Sequence, residues 1–145
     1  MQHFVYPASL MPDEQDGGFV VTFADLPEAI TQGDDTADAL RQGADCLEEA
    51  IAGRIRRHDC IPEPSPIEGS AYAIPLSAQM AAKAALYLAL HQAGITQVEL
   101  AVRLHCDEKE VRRLLDPRHA SKLSRVESAL AVLGHQLVVG MQATG

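Results

Sequence analysis

ITQVELAVRLHCDEKEVRRLLDPRHASKLSRVESALAVLG, residues 95–134, carries three helix-start signals in close succession, with a tight turn between the first two helices they announce. Thr96 precedes Glu99, Asp107 precedes Glu110 and Ser124 precedes Glu127, each a capping side chain three residues ahead of a carboxylate. The capping oxygen accepts from an orphan N–H of the first helical turn, while the carboxylate reaches back to the cap's own N–H; each such cap contributes about 1 kcal/mol. The apolar spacing agrees. Leu100, Ala101 and Leu104 share one face of the first helix, and Val111, Leu114 and Leu115 one face of the second. His105 and Cys106 between them leave room only for a sharp turn, so the stretch predicts a helix-turn-helix followed by a third helix.

A helix-turn-helix lays its second helix in the major groove of DNA. Here that helix begins after Asp107, and Glu108, Lys109 and Arg112 occupy its solvent-facing positions. Lys109 and Arg112 are the base-reading candidates, because Arg or Lys to guanine is the commonest specific contact. Glu108 either accepts from cytosine or only stabilises the helix N-terminus. Thr96, Gln97, Arg113, Arg118 and Lys122 suit phosphate contacts, which orient a protein without specifying sequence. The competing reading is a solvated charged face on an ordinary helical core. Asp107, Glu108 and Glu110 weaken the local positive field, so one copy is expected to bind weakly, and a homodimer or higher homo-oligomer on a palindromic double-stranded operator to supply the affinity.

Downstream, HQLVVGMQ at residues 135–142 reads as a short apolar strand. A free edge of that kind seeks a partner, so Leu137, Val138 and Val139 are dimerisation candidates, with burial inside one subunit as the alternative. Upstream, Ser77 caps an Ala-rich helix that Gly94 ends. Residues 3–8 and 19–23 read as hairpin strands, residues 29–32 as a third strand and residues 71–76 as a fourth. Leu40, Ala44, Leu47, Ile51 and Ile55 recur at spacings of three and four over residues 37–57, which predicts an amphipathic helix covering the sheet. DCIPEPSPIEGS, residues 59–70, reads as a connector. The expected class is α+β: a βββαβ domain over residues 1–76, then an all-α helix-turn-helix domain over residues 77–145 with a short C-terminal strand.

The chain of 145 residues has a net charge of −8, unevenly divided. Residues 1–93 hold 5 basic and 14 acidic side chains, a net −9, while residues 94–145 hold 7 basic and 6 acidic, a net +1. An acidic first half repels phosphate backbones and suits a basic protein partner. Three scattered cysteines without a CxxC, and six scattered histidines, indicate no disulfide framework, metal site or cofactor. No leader and no run of about 18 apolar residues is present, so no membrane association is expected and the cytoplasm is the expected compartment.

The order of elements and the residues themselves bring a family into view. The chain resembles the HicB antitoxins along FVVTFADLPEAITQGDDTADALRQGADCLEEAI, residues 19–51, along IPEPS, residues 61–65, and along the helix-turn-helix half. The family-like core is Asp25-Leu26-Pro27 followed by Thr31-Gln32-Gly33-Asp34 and an amphipathic helix. Ala24 and Glu28 depart from the proline and glycine common there, and His105 replaces the glycine common in the turn. Histidine tolerates positive φ better than most residues. The resemblance implies a partial RNase H-like fold in the first half, a partner of the HicA type, a small basic mRNA-cleaving ribonuclease, and repression of its own operon.

Such a toxin presents basic groups to RNA phosphates, so an acidic surface can occupy its active site. Asp25, Glu28, Asp34 and Asp35 are the toxin-binding candidates; loop solubility and helix capping are the alternative reading for each. A metal-dependent nuclease needs carboxylates converging from separate elements. The strands here hold none, so no catalysis and no catalytic residue is expected. The rival to an antitoxin and repressor is a stand-alone helix-turn-helix transcription regulator whose acidic domain senses a ligand or serves oligomerisation.

Overall fold

The computed structural model describes residues 1–144. The chain divides into two compact units, Met1–Ala81 and Ala82–Gly145. The first holds β1 (Val5–Pro12), β2 (Phe19–Thr22), β3 (Ile30–Gly33), α1 (Thr36–Arg57) and β4 (Tyr72–Pro75), the expected βββαβ order. Helix α2 (Ala78–Ala93) starts in this unit and continues into the second, which adds α3 (Gln97–Leu104), α4 (Glu108–Leu115) and α5 (Leu123–Val132). The fold is thus mixed α+β, with an antiparallel four-stranded sheet in the order β3-β2-β1-β4.

Strand β1 runs four residues past the expected end at Ala8, because its two halves serve different partners. Residues 5–8 pair with residues 75–72 of β4, and residues 9–12 with residues 22–19 of β2. The Leu76 N–H donates to the Phe4 carbonyl at 2.9 Å, so even-numbered residues of this half face β4 and Pro7 faces the unpaired side, where its missing N–H costs nothing. No strand residue carries a charge, so no strand-borne carboxylate stands in the sheet.

Alternation buries Tyr6, Ala8, Val21 and Ile74 under α1, which contributes Ala39, Leu47, Ile51 and Ile55. Gly43 makes this close approach possible: a Cβ there would stand 3.1 Å from Ile74 Cδ1 and 3.2 Å from Val21 Cγ1. Asp35 caps α1, its carboxylate accepting from the Asp38 N–H at 2.8 Å, and Asp38 in return accepts from the Asp34 N–H at 2.8 Å. That backbone bond holds the Asp38 carboxyl below its ordinary value. The helix closes on His58 in the left-handed region, φ 59°.

The connector is tied down rather than loose. Tyr6 donates its hydroxyl proton to the Pro62 carbonyl at 2.7 Å, and Arg54 Nη1 donates to the Cys60 carbonyl at 2.9 Å. Asp25 accepts from the Ser65 N–H at 2.9 Å and from its hydroxyl at 2.5 Å. Ile61 goes into the core between these bonds. Prolines set the extended path of this segment, and side chains of β1, of the loop between β2 and β3 and of α1 supply its hydrogen bonds, since a proline-rich strap cannot satisfy itself.

In the second unit, Leu86, Ala89, Leu114, Val126, Ala129 and Leu130 form one apolar cluster, and Leu90, Leu100, Ala101 and Val111 another. Leu104, Leu115 and Leu133 border both. Two expectations fail here. Ser124 does not cap α5: the helix begins at Leu123, its N-cap Lys122 makes no side-chain cap bond, and Ser124 lies within the first turn. Burial of Val126, Ala129 and Leu130 and an ion pair from Arg125 set this start instead. Residues 135–144 form no strand. A strand needs an edge to pair with, and the described residues of this unit contain none.

Candidate functional site

Helices α3 and α4 are built as their local chemistry dictates. Thr96 Oγ1 accepts from the Glu99 N–H at 3.1 Å, and Asp107 Oδ1 from the Glu110 N–H at 2.8 Å. Between them His105 takes φ 54° and ψ 43°, the left-handed conformation a glycine would adopt at no cost. The Cys106 N–H then reaches the Ala101 carbonyl at 3.0 Å and the His105 N–H the Val102 carbonyl at 3.2 Å, the double closure of a Schellman motif. Burial and the Glu110 carboxylate beside it push the Cys106 thiol up, as suits a small packing residue.

Val111 and Leu114 are buried, one helical turn apart, which turns Glu108, Lys109 and Arg112 outward, all exposed. Arg113, Arg118, Lys122 and Thr96 are exposed as well, and Gln97 is partly buried. Thr96 is occupied as a cap through its side-chain oxygen. The Arg118 N–H is held by Asp116 Oδ1 at 2.9 Å, which shapes the loop after α4.

Glu110 does not complete a capping box by reaching back to Asp107. It accepts instead from Arg125 Nε at 2.9 Å and Nη2 at 2.5 Å, joining α4 to α5 and neutralising one of the acidic charges beside Lys109. Arg125 was not among the residues singled out from the sequence. Its partner lies fifteen positions away, beyond any helical spacing. Lys83 is a second residue that no sequence motif marks. It is the lone lysine of an Ala- and Leu-rich helix, and it is fully buried, with its ammonium against the end of α4. A single charge in an otherwise apolar helical run was the available signal.

The four acidic candidates of the first unit differ in what already engages them. Asp25 is partly buried and bonded to Ser65, and Asp35 caps α1. Glu28 receives Arg54 in a bidentate pair, at 2.6 and 2.9 Å, and the guanidinium holds its carboxyl below the usual carboxylate range. Asp34 is exposed at the start of α1, its N–H bonded to Asp38. Burial and the nearby Asp25 carboxylate push the Tyr6 phenol up to about 12, so its hydroxyl remains a donor to Pro62 at any ordinary pH. Among the described residues no group of three or more His, Cys, Asp or Glu could hold a metal ion.

Of the dimerisation candidates, Leu137 packs against the core cluster of its own unit, whereas Val138 and Val139 are 55% and 78% exposed. Among the described residues no helix is long and apolar enough to cross a membrane.

Known proteins are similar to this chain over nearly its full length. Residues 5–85 match the family described as the HicB_like antitoxin of bacterial toxin-antitoxin system. The chain is 37% identical over 136 residues to Antitoxin HicB of Escherichia coli K12, covering 94% of this chain and 98% of that protein. It is 36% identical over 137 residues to Antitoxin HicB 1 of Photorhabdus laumondii, covering 94% and 86%. Antitoxin HicB of Pseudomonas fluorescens Pf0-1 is 31% identical over 140 residues, covering 96% of each. With more than half its length inside the family's span and full-length relatives at this identity, the chain belongs to the HicB-like antitoxin family.

Proposed function

We propose that this protein is a regulatory antitoxin, not an enzyme, that neutralises a HicA-type mRNA interferase and represses its own operon. Residues 1–76, with their partial RNase H-like order of elements, would occlude the toxin's active site, and residues 77–145 would read operator DNA as a helix-turn-helix. The observation that carries the DNA half is the exposure pattern of α4: Val111 and Leu114 buried, Glu108, Lys109 and Arg112 outward, on a helix entered through a Schellman turn and capped by Asp107. Family membership and the net −9 of residues 1–93 support the toxin half, since a basic ribonuclease meets an acidic partner at an enhanced rate.

Asp25, Glu28, Asp34 and Asp35 are assigned to the toxin-facing surface in this reading, with Asp34 exposed and the other three acting also as structural ties. Arg113, Arg118 and Lys122 meet phosphates, with Thr96 and Gln97 at the start of α3. Two copies joined through Val138 and Val139 would place two α4 helices on the half-sites of a palindrome. Both partners of such a protein are found in the bacterial cytoplasm, which is its compartment here.

One experiment separates the two activities. Cells carry an inducible small toxin encoded beside this protein and a reporter driven by the DNA upstream of the pair. The wild-type chain should restore growth and silence the reporter; Arg112→Ala should restore growth yet release the reporter, with a loss of base discrimination of about 1 to 3 kcal/mol. Failure of the wild-type chain to restore growth sinks the antitoxin half, and full repression by Arg112→Ala sinks the assignment of α4.

A further inference from the structure

Lys83 is the one charged residue buried among the described residues, with 0% of its surface exposed. Its ammonium donates to the carbonyls of Arg113 at 3.0 Å and Leu114 at 2.9 Å and to the Ser121 hydroxyl at 2.9 Å. Three donors meet three acceptors, so the group is fully satisfied. Two of these acceptors belong to the last turn of α4, where carbonyls lack partners further along the helix and where a cation meets the negative end of the helix dipole. The third lies in the loop that follows, and Ser121 also approaches the Arg113 carbonyl at 3.4 Å and His119 Nδ1 at 3.3 Å.

An apolar side chain of similar length would fill this space without the desolvation cost of a buried charge. What the ammonium adds is direction. Apolar contacts between helices tolerate small rotations and slides, whereas three hydrogen bonds converging on one nitrogen fix where the end of α4 sits and how the next loop leaves it. The Glu110–Arg125 pair restrains the other end of the same helix from α5. Thus α4 is held at both ends by charged groups, one of them within the core.

We infer that Lys83 is a positioning residue for DNA recognition: from inside the core it pins the C-terminal turn of α4 and the loop to Ser121, and so sets the angle at which Lys109 and Arg112 present themselves to base edges. This role rests on the operator-binding reading given above. Lys83 itself touches no DNA. Base-edge hydrogen bonds fail when a side chain is displaced by a fraction of an ångström, while phosphate attraction tolerates such shifts. Loss of the pin therefore costs discrimination and spares non-specific binding.

The test uses the full chain and two labelled duplexes: the DNA directly upstream of its own reading frame, and a shuffled duplex of equal length and composition. Four proteins are compared, each well below its melting temperature: wild type, Lys83→Met, Ser121→Ala, and Val126→Ala as a variant destabilised in the same unit. Lys83→Met should lose about tenfold or more of the preference for the upstream duplex while its affinity for the shuffled one changes by less than about threefold. Ser121→Ala should lose preference in the same direction but less, and Val126→Ala should keep it. Ser121 is only partly buried, so its variant carries the test where Lys83→Met does not fold.

Three results overturn the role: undiminished preference in folded Lys83→Met, an equal loss in Val126→Ala, or, with Lys83→Met unfolded, undiminished preference in Ser121→Ala. A wild-type chain that binds both duplexes alike overturns the operator reading itself and the role with it. That outcome is distinguishable, because the failure then appears before any substitution.

Discussion

The two units treat charge in opposite ways. The first carries most of the acidic side chains, yet three of the four toxin-binding candidates are turned to internal use: Asp25 holds Ser65 of the connector, Glu28 holds Arg54, and Asp35 caps α1. The second is close to neutral, yet Lys109, Arg112, Arg113 and Lys122 stand exposed on and beside one short helix. Net charge by itself is therefore a poor guide to the surface a partner meets. What matters is which charges the fold has already engaged, and a nearly neutral unit can offer a more usable charged face than a strongly acidic one.

Lys83 breaks this pattern inside the second unit, and the largest expected effect follows from it. Burial pushes its ammonium down from 10.5 to about 8, with the Asp116 carboxylate pulling the other way. The folded chain gives up this proton near pH 8 and the unfolded chain near 10.5, so between those values the unfolded chain binds one more proton and stability rises with pH. Denaturant titrations of wild type and Lys83→Met should diverge in the wild type's favour by about 3 kcal/mol over that interval. A constant difference would mean that the ammonium is no worse solvated in the fold than outside it.

The acidic ties of the first unit should show a smaller effect. Asp25→Asn and Ser65→Ala should each lower unfolding free energy by about 1 to 2 kcal/mol, and the double variant by less than the sum, since both remove the same bonds. Strict additivity in this cycle would show that the connector is not held through Asp25, and that the carboxylate is available to a partner after all.

Smallest of the three is the gain from His105→Gly. Left-handed φ costs a non-glycine residue about 1 kcal/mol, so the substitution should raise the melting temperature slightly while leaving the growth and reporter readouts of the proposed function as in the wild type. A fall in stability would instead show that the imidazole makes contacts worth more than the strain it brings.

Much of this molecule is legible in its sequence because the deciding interactions are short-ranged. The capping bonds of Thr96, Asp107 and Asp35 span three residues, and the Schellman closure at His105 spans five. The order of four strands and the amphipathic α1 follow from periods of two and of three to four residues. Even the replacement of a turn glycine by His105 could be anticipated, because the αL requirement is set by the turn itself.

Other features required the chain to be folded. Ser124 and Glu127 carry the same capping pattern as their neighbours, but the core contacts of Val126 and Leu130 began the helix at Leu123, two residues earlier than a Ser124 cap would. The apolar run at Leu137–Val139 has strand composition but no edge to join, so Leu137 packed inward and no strand formed. Asp25 finds Ser65 forty positions on, Glu110 finds Arg125 fifteen on, and Lys83 finds Arg113 and Leu114 some thirty on. By itself the sequence determined the four strands, helices α1 to α4 and the turn at His105, since each depends on neighbours within one or two helical turns. Only the tertiary structure decided which charges are engaged and which are presented, because that depends on partners the chain brings together by folding.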